Sequence, residues 1–233
     1  MNRYGIIGAM ESEVADLKKA MNVTENVTLA AMTFTQGTLY GKEAVVVQCG
    51  MGKVNAGVCA EILISLFHCT HIINTGAAGS LNNEINIGDV VISTDAVQHD
   101  FDVSPIGFAK GEIPYTGLYA FKADETLRAK AAEAIHAVSA DTGVFEGRVC
   151  SGDQFIASKE DKRRIIENFG GYCAEMEGAA VAQVCHLNQI PFVIIRAISD
   201  KADDSEEVSF EIFAEKAART SSLCVRYMIE NME

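Results

Sequence analysis

Residues 192–200 read FVIIRAISD, a nearly uninterrupted apolar run that ends in a serine and a carboxylate. A continuous run of this length is typical of a strand buried on both faces, as in a parallel sheet covered by helices. We predict this strand over Phe192 to Ile198. Similar runs alternate with longer segments of helical periodicity, which favours βαβ units. The sequence therefore predicts an α/β fold with a central mixed, largely parallel β-sheet flanked by helices.

Five other apolar runs predict strands, and two alternating segments predict a hairpin. The strands are 4–9, 44–49, 71–75, 90–93 and 146–150, and the hairpin pairs 28–33 with 35–40. Helical periodicity predicts helices over 11–20, 55–67, 124–138, 159–168, 176–187 and 210–230, with Ser158 and Ser209 as N-caps. No internal repeat or linker interrupts this pattern, and we expect residues 1–233 to form one domain.

The composition excludes several classes of partner. The 233 residues are 48% hydrophobic and carry a formal net charge of -13, which repels nucleic-acid backbones and anionic membrane surfaces. We expect neither as a partner. The seven cysteines are odd in number and have no C-x-x-C spacing, which indicates a reducing compartment. With no visible secretory signal or segment of transmembrane length, we expect the cytoplasm.

Carboxylates follow three apolar segments that lie far apart in the chain. They are Glu13 in the motif GAMESE, Glu177 in AEMEG and Asp200 in RAISD. Because ligands bind outside the carboxyl ends of the strands in open α/β sheets, the three motifs predict one acidic pocket. Other readings stay open for each acid. Glu13 could be a first-turn residue stabilised by the helix dipole, and Asp200 could pair with Arg196.

Two glycine motifs, at 50–53 (GMGK) and 76–79 (GAAG), follow predicted strands. They could allow a ligand to approach the backbone closely, or they could be plain tight turns. Neither is a dinucleotide fingerprint or a phosphate loop. The pair His68 and His71 lacks the further ligands that a zinc site needs, so we expect no metal and no cofactor.

The segment from His99 to Phe121 shows no sustained periodicity. It holds two prolines, three glycines and four aromatic residues between its ends. A loop this long inside a compact domain is usually functional or disordered. Its aromatic residues favour contact with a ligand or with a partner subunit.

Five motifs together resemble the bacterial 5'-methylthioadenosine/S-adenosylhomocysteine nucleosidases. They are residues 5–13, 74–79, 151–156, 175–177 and 196–200, which follow the family order and span nearly the whole chain. The resemblance implies the nucleoside phosphorylase-like fold. It also implies hydrolysis of the N-glycosidic bond between adenine and a 5'-thio-substituted ribose, with water as co-substrate and small adenine nucleosides as ligands.

The resemblance implies a role for each acid. Asp200 matches the general acid that protonates N7 of adenine, which is otherwise a poor leaving group. Glu13 matches the base that activates water, and Glu177 matches the glutamate that binds the ribose hydroxyls and stabilises the developing cation. Arg196 would orient the water and these acids.

The resemblance also implies the substrate contacts. Phe155 would stack on the base and the backbone of Ile156 would bind its edge, with Glu175 and Ser199 as further candidates. The ribose and thioether would meet Met10, Met51, Met176 and Phe210, whose sulfurs and ring suit an apolar substituent. Val103, Ile106 and Phe108 would close the 5' pocket across a homodimer interface. Ala77 stands where many family members carry a serine, which removes one hydroxyl near the ribose.

Three functions remain open on the sequence, and the favoured one is the methylthioadenosine/S-adenosylhomocysteine nucleosidase that the resemblance implies. A phosphorylase would need arginines or an anion-binding loop below the ribose, where this chain offers Glu11 and Glu13 instead, so a hydrolase is favoured. A related hydrolase could prefer an aminofutalosine-type nucleoside or 5'-deoxyadenosine. A nucleoside-binding or storage protein could keep the fold without turnover, although retention of all three acids argues against it.

Overall fold

Strands from both ends of the chain meet in one sheet. The computed structural model describes residues 2–202 and 207–232, with backbone alone for 207–212. Within those residues the chain forms a ten-stranded sheet and six α-helices. The strands are β1 (Arg3–Gly8), β2 (Asn22–Leu29), β3 (Met32–Leu39), β4 (Lys42–Gln48), β5 (His71–Ser80), β6 (Val90–Gln98), β7 (Phe121–Lys122), β8 (Val144–Ser151), β9 (Cys173–Glu175) and β10 (Phe192–Asp200). The helices are α1 (Glu11–Ala20), α2 (Lys53–Ser65), α3 (Glu125–Val138), α4 (Lys159–Phe169), α5 (Gly178–Asn188) and α6 (Glu207–Glu230).

The sheet is mixed, with parallel pairing at its centre. Parallel pairs join β4, β1, β5 and β10 in that order, and a second parallel set joins β6, β8 and β9. Antiparallel pairs build the β2–β3–β4 hairpins and connect the two parallel sets through β10–β6 and β5–β9. The strands β5, β10, β6, β8 and β9 therefore pair in a closed ring, and β5 pairs with β1 as well.

Helices cover the sheet on both faces, which confirms the predicted fold class. One buried cluster packs α1, α3 and α6 against the strands through side chains such as Leu17, Ile135 and Val225. The opposite cluster packs α2 and α5 through residues such as Leu63 and Val181. Strand β10 is buried at all nine positions, as its apolar run predicts. Burial at this scale is the dominant favourable term in folding.

Several element boundaries differ from the sequence-based predictions. The strand predicted over 71–75 continues to Ser80, and the one predicted over 90–93 continues to Gln98. Small residues after Thr75 signalled a turn, but pairing with β10 through Gly79, and with β9 at Gly79 and Ser80, holds this segment extended. The predicted pairing of 28–33 with 35–40 is wrong, because the turn lies at Ala30 and Ala31, inside the predicted first strand, and Phe34 lies within β3. Strand β9 was not predicted, because its three residues are too few to show periodicity.

Several helix starts also differ from the predictions, and the helix predicted over 55–67 spans Lys53–Ser65. The helix predicted from Met176 begins at Gly178, because Glu177 has non-helical backbone angles and is the N-cap. The final helix begins at Glu207, so Ser209 lies inside it and is not an N-cap. Ser158 is confirmed as the N-cap of α4, where its hydroxyl accepts a 3.1 Å hydrogen bond from the Asp161 N–H.

The segment between β6 and β7 is irregular, as predicted. It contains one short 3-10 turn at Ser104–Ile106 and an isolated bridge between Ile113 and Leu118. In the described part of the chain, no helix combines the length and apolar character needed to cross a membrane.

Candidate active site

A cavity opens at the carboxyl ends of β1, β5 and β10. All three acids predicted from sequence line it, although they come from three distant segments: Glu13, Glu177 and Asp200. Other predicted residues share the wall, namely Met10, Met51, Ala77, Phe155, Ile156, Glu175, Met176 and Ser199. The acidic pocket predicted from strand ends is therefore present.

Glu13 sits in the first turn of α1 with its carboxylate turned back over the strand ends. Its Oε2 accepts hydrogen bonds from the N–H groups of Ala9 (2.7 Å) and Met10 (2.9 Å), and Oε1 accepts one from Ala77 (3.0 Å). Glu13 is therefore both a first-turn acid stabilised by the start of α1 and a residue of the candidate site. Each carboxylate oxygen has two acceptor positions, so Oε1 retains capacity for a ligand or water.

Two glycines in β5 make room for the charged groups. A Cβ at Gly76 would lie 2.5 Å from Oε1 of Glu13 and 2.8 Å from Nη1 of Arg196. A Cβ at Gly79 would lie 2.6 Å from Oδ1 of Asp200. The parallel register sets Arg196 beside Gly76 and Asp200 beside Gly79. The GAAG motif is therefore a strand that side chains approach closely, rather than a tight turn.

Arg196 lies behind the cavity wall, buried in the sheet. Its Nε donates to Oε2 of Glu175 at 3.1 Å. Its Nη2 donates to the same oxygen and, at 2.6 Å, to Oδ1 of Asn74. Glu177 forms a longer ion pair with it at 3.7 Å. The guanidinium therefore pairs with two glutamates, and these partners differ from the Arg196–Asp200 pair left open by the sequence. Desolvation by burial opposes the charge of Arg196, but the nearby carboxylates of Glu175, Glu177 and Glu13 raise its pKa above the ordinary value.

The carboxylate of Glu175 holds several protein groups. Besides Arg196, it accepts hydrogen bonds from the Ser151 hydroxyl and from the N–H groups of Glu177 and Gly178. The last two are free donors at the start of α5, where negative charge is favoured. Glu175 lines the cavity, but its oxygens already bind the groups that shape it.

Glu177 is the most electrostatically unusual acid of the site. Its Oε1 accepts a 2.8 Å hydrogen bond from the N–H of Gly52, 125 residues away. Burial and the nearby charge of Glu175 raise the pKa of Glu177 to about 7, against the lowering effects of Arg196 and the Gly52 N–H. Any ligand that brings positive charge or hydroxyl donors would stabilise the ionised form of this carboxylate.

Asp200 ends β10 and is buried at the rim of the cavity. Its Oδ2 accepts a 2.8 Å hydrogen bond from the Ser199 hydroxyl, and its Oδ1 accepts one of 2.8 Å from the Ala202 N–H. The buried Lys162 donates to the carbonyl of the next residue, Lys201, at 2.7 Å. These contacts hold the carboxyl group in one orientation.

The rest of the cavity wall is apolar and partly open. Phe155 and Met51 are mostly exposed at its mouth, whereas Ile156 is buried. The Gly50–Gly52 turn that carries Met51 has positive φ angles at both glycines, so the GMGK motif at 50–53 is a tight turn. An apolar mouth above buried acids suits a ligand with a flat ring and a polar sugar-like part.

Some predicted residues lie away from this cavity. Val103, Ile106 and Phe108 belong to the irregular segment and do not line it, and the ring of Phe108 packs against Tyr115 instead. The side chain of Phe210 is outside the described part of the chain. The sequence reasoning missed wall residues that carry no distinctive chemistry: Ala9, Ala78, Gly79, Gln154 and Ala174. The roles of Ser151 and Asn74 follow only from strand register, and the role of the Gly52 N–H follows only from the contact between two loops.

No metal cluster is found in the described residues, which contain no group of three or more His, Cys, Asp or Glu side chains arranged to hold an ion. His71 instead has its Nδ1 2.9 Å from the Thr70 hydroxyl and its ring against Tyr4. All seven cysteines are buried and unpaired.

Comparisons with known proteins cover the entire fold. Residues 3–230 match the family model of the phosphorylase superfamily. A 5'-methylthioadenosine/S-adenosylhomocysteine nucleosidase from Shewanella loihica is 41% identical over 234 residues, covering 99% of this chain and 100% of the relative. The Neisseria meningitidis enzyme of the same name, solved with methylthio-immucillin-A, superposes with a TM-score of 0.95 at 37% identity over 100% of both chains. A futalosine hydrolase of Helicobacter pylori superposes with a TM-score of 0.93 at 33% identity, covering 99% of this chain and 98% of that one.

Proposed function

The chain belongs to the phosphorylase superfamily and, within it, to the 5'-methylthioadenosine/S-adenosylhomocysteine nucleosidases, and from this membership we propose its reaction. It hydrolyses the N-glycosidic bond of 5'-methylthioadenosine and S-adenosylhomocysteine, and releases adenine and the 5'-thioribose. The observation that carries the proposal is the convergence of Glu13, Glu177 and Asp200 on one cavity. Cleavage of this bond needs an acid, a base and a stabiliser of positive charge.

Asp200 serves as the general acid. Adenine leaves readily only when a ring nitrogen is protonated, and a carboxylic acid held against N7 supplies that proton. The Ser199 hydroxyl and the Ala202 N–H fix the orientation of this carboxyl group. The base stacks on Phe155, and the backbone of Ile156 binds its edge.

Glu13 serves as the general base for the attacking water. Its carboxylate is held by three backbone N–H groups and lines the cavity beside Ala77. Water enters on the face of the ribose opposite the departing base, as in inverting glycoside hydrolysis. A carboxylate there repels inorganic phosphate, which supports hydrolysis over phosphorolysis.

Glu177 binds the ribose hydroxyls and stabilises the oxocarbenium-like transition state. Its raised pKa supports this role, because a carboxylate destabilised in the free site gains most when positive charge develops next to it. Arg196 and Glu175 behind it keep its position. Met10, Met51, Met176 and Phe210 form the ribose and thioether region.

The active form is a homodimer in which Val103, Ile106 and Phe108 of each subunit close the 5' pocket of its partner. Large hydrophobic side chains that the single chain leaves exposed support this assembly, among them Val54, Ile106 and Tyr115. Light scattering on the purified protein tests it, and a monomer at working concentration would contradict it.

Seven buried thiols support a reducing cytoplasm, where the reaction would serve methionine salvage. Residues 1–233 act as one domain, because both ends of the chain supply strands to the same sheet.

Chromatography of the products tests the reaction. Incubation with 5'-methylthioadenosine in phosphate-free buffer is expected to give adenine and methylthioribose, and added phosphate is expected to change neither product. A sugar 1-phosphate that forms only with phosphate would contradict the hydrolase. Nucleoside binding in a calorimeter without any product would instead support the binding-protein alternative.

A second substrate class is favoured by the Helicobacter pylori neighbour whose name is futalosine hydrolase. The base and ribose contacts would be shared, so the 5' pocket decides between the two classes. Competition between methylthioadenosine, aminofutalosine and 5'-deoxyadenosine at equal concentration measures the ranking directly. We expect methylthioadenosine to be cleaved with the highest kcat/KM.

A further inference from the structure

We propose that Lys53 is a positioning residue of this site, which acts through Asp100 and Asp153 to hold the Gly50–Lys53 turn where the Gly52 N–H binds Glu177. The inference deepens the proposed function and rests on it for its kinetic part. None of the three side chains lines the cavity. Their effect on the reaction would therefore be transmitted through the segments that they hold in place, the turn first among them.

The turn has little apolar anchoring of its own. Gly50 and Gly52 have no side chains and adopt positive φ angles of 84° and 94°, and the side chain of Met51 is 65% exposed. Gly52 is the N-cap of α2 and supplies no side-chain cap. Yet this turn must place one N–H group at 2.8 Å from Oε1 of Glu177. The first part of the turn is held by hydrogen bonds from the Gly50 N–H to the Ala9 carbonyl (3.1 Å) and from Nδ2 of Asn55 to the Met51 carbonyl (2.8 Å), and its last part depends on the contacts of Lys53.

Polar groups supply these contacts in a closed ring of hydrogen bonds. Nζ of Lys53 donates to Oδ1 of Asp100 (2.6 Å) and to Oε1 of Gln98 (2.9 Å). Oδ2 of Asp100 accepts from the N–H of Asp153 (2.9 Å). Oδ1 of Asp153 accepts in turn from the N–H of Lys53 (2.8 Å). The hydrogen bonds run from Lys53 to Asp100, from Asp100 to Asp153 and back to Lys53, so the three residues hold one another in place.

The ring joins three segments that carry pocket residues. Lys53 follows Met51, Asp153 precedes Phe155 and Ile156, and Asp100 opens the segment that holds Val103 to Phe108. The Lys53 and Asp100 side chains are only 17% and 16% exposed, so solvent screens the pair weakly. The Lys53–Asp100 pair therefore sets the position of the loop that carries Phe155 and Ile156 relative to the turn that carries Met51.

The charges around the ring favour its ionised form. Burial opposes the Asp100 carboxylate, but the hydrogen bonds from Lys53 and from the Asp153 N–H still lower its pKa below the ordinary value. His99 packs beneath Gly152, and burial lowers the pKa of its ring, so it stays neutral near pH 7. Lys53 is thus the cation that balances Asp100 at this point.

Loss of Lys53 has a specific consequence for Glu177. That carboxylate faces Glu175, Arg196 and Glu13, and the Gly52 N–H is one of the groups that favour its charged form. When the turn loosens, this hydrogen bond weakens and protonated Glu177 persists to higher pH. A merely structural role for Lys53 would lower stability without moving the pH profile.

The test uses the full-length variants Lys53→Met, which keeps an unbranched apolar stem, and Lys53→Arg, which keeps the charge. Lys130→Met is the matched control, because Lys130 pairs with Glu133 on the surface of α3. For Lys53→Met we expect faster hydrogen exchange at the Gly52 amide and kcat/KM for methylthioadenosine lower by about tenfold, the scale of one hydrogen bond to a charged group. The acid limb of its pH profile should move upward, and Lys53→Arg should restore part of both effects. Lys130→Met should behave as wild type.

Wild-type Gly52 protection together with a wild-type pH profile in Lys53→Met would overturn the proposal. If that variant does not fold, Asp100→Asn breaks the same ring and carries the same expectations. The exchange measurement does not depend on turnover. A wild-type protein that cleaves no nucleoside would therefore defeat the proposed function, while faster Gly52 exchange in the variant would still support the positioning role.

Discussion

Arg196 and Glu175 form an ion pair in which each side chain exposes only 2% of its surface. The pair sits directly behind the carboxylate of Glu177, to which the guanidinium also extends at 3.7 Å. Buried charges are costly unless they are paired and hydrogen-bonded, and here Asn74 and Ser151 complete the network. A buried, hydrogen-bonded ion pair therefore lies behind the carboxylates that line the cavity.

Glu175→Gln should destabilise the fold, because it leaves the guanidinium of Arg196 with a weaker counter-charge in the protein interior. We expect the free energy of unfolding to fall by about 3 kcal/mol, measured by urea denaturation. Glu215→Gln is the matched control, since its partner Arg219 is exposed and such pairs contribute at most about 1 kcal/mol. Equal decreases in the free energy of unfolding of the two variants would contradict a stabilising role for the buried Arg196–Glu175 pair.

Stability should depend on pH through Glu177. A carboxyl group with a raised pKa binds its proton more tightly in the folded than in the unfolded protein. Its contribution to stability is complete below the ordinary pKa of 4.5 and is lost as the pH rises to about 7. Unfolding free energies of wild type and Glu177→Gln, compared from pH 4.5 to 8, should diverge in favour of the variant by an amount on the order of 3 kcal/mol. Parallel curves would show that the pKa of Glu177 is ordinary.

Asp200→Asn should lose turnover while it keeps the fold. An amide can still accept from the Ala202 N–H, but it cannot deliver a proton to N7 of adenine. We expect kcat for methylthioadenosine to fall by about 100-fold or more, the usual contribution of a general acid. Thermal denaturation would establish that the variant is folded. Turnover at the wild-type rate would remove Asp200 from its proposed role.

Gly76→Ala should disturb the site more than the fold. The new methyl group would lie 2.5 Å from Oε1 of Glu13 and 2.8 Å from Nη1 of Arg196, so both charged groups must move. We expect kcat/KM to fall by about 100-fold, because small displacements of reacting groups are that costly.

Gly57→Ala is the matched control for this glycine. It lies in α2, where the nearest atom to a new Cβ is Cγ2 of Val184 at 3.8 Å. Alanine there should leave activity unchanged and raise the unfolding free energy by up to about 1 kcal/mol. Similar activity in the two alanine variants would contradict the close approach at Gly76.

The sequence predicted the α/β class and the three acids for one physical reason. Continuous apolar runs identify buried parallel strands, and carboxylates at their ends mark the edge where ligands bind. The end of β5 was predicted wrongly because glycine and alanine have low strand propensity, and the tight approach of Glu13 and Arg196 that requires those glycines is a tertiary contact.

Partner assignments were the other part that sequence could not supply. Arg196 is four residues from Asp200, yet its counter-charges are Glu175 and Glu177. This choice follows from the strand register, which sets Glu175 beside Ser151 and Arg196 beside Gly76. The Gly52 contact with Glu177 likewise joins two loops whose spacing along the chain carries no signal.

The ring of strands also constrains synthesis on the ribosome. β5 has emerged well before β10, which begins at Phe192 and closes its second side. Until then a nascent chain presents an apolar strand with an unpaired edge, a template for pairing with other chains. Premature termination anywhere in the preceding stretch should consequently yield an aggregation-prone fragment rather than a weakly active enzyme.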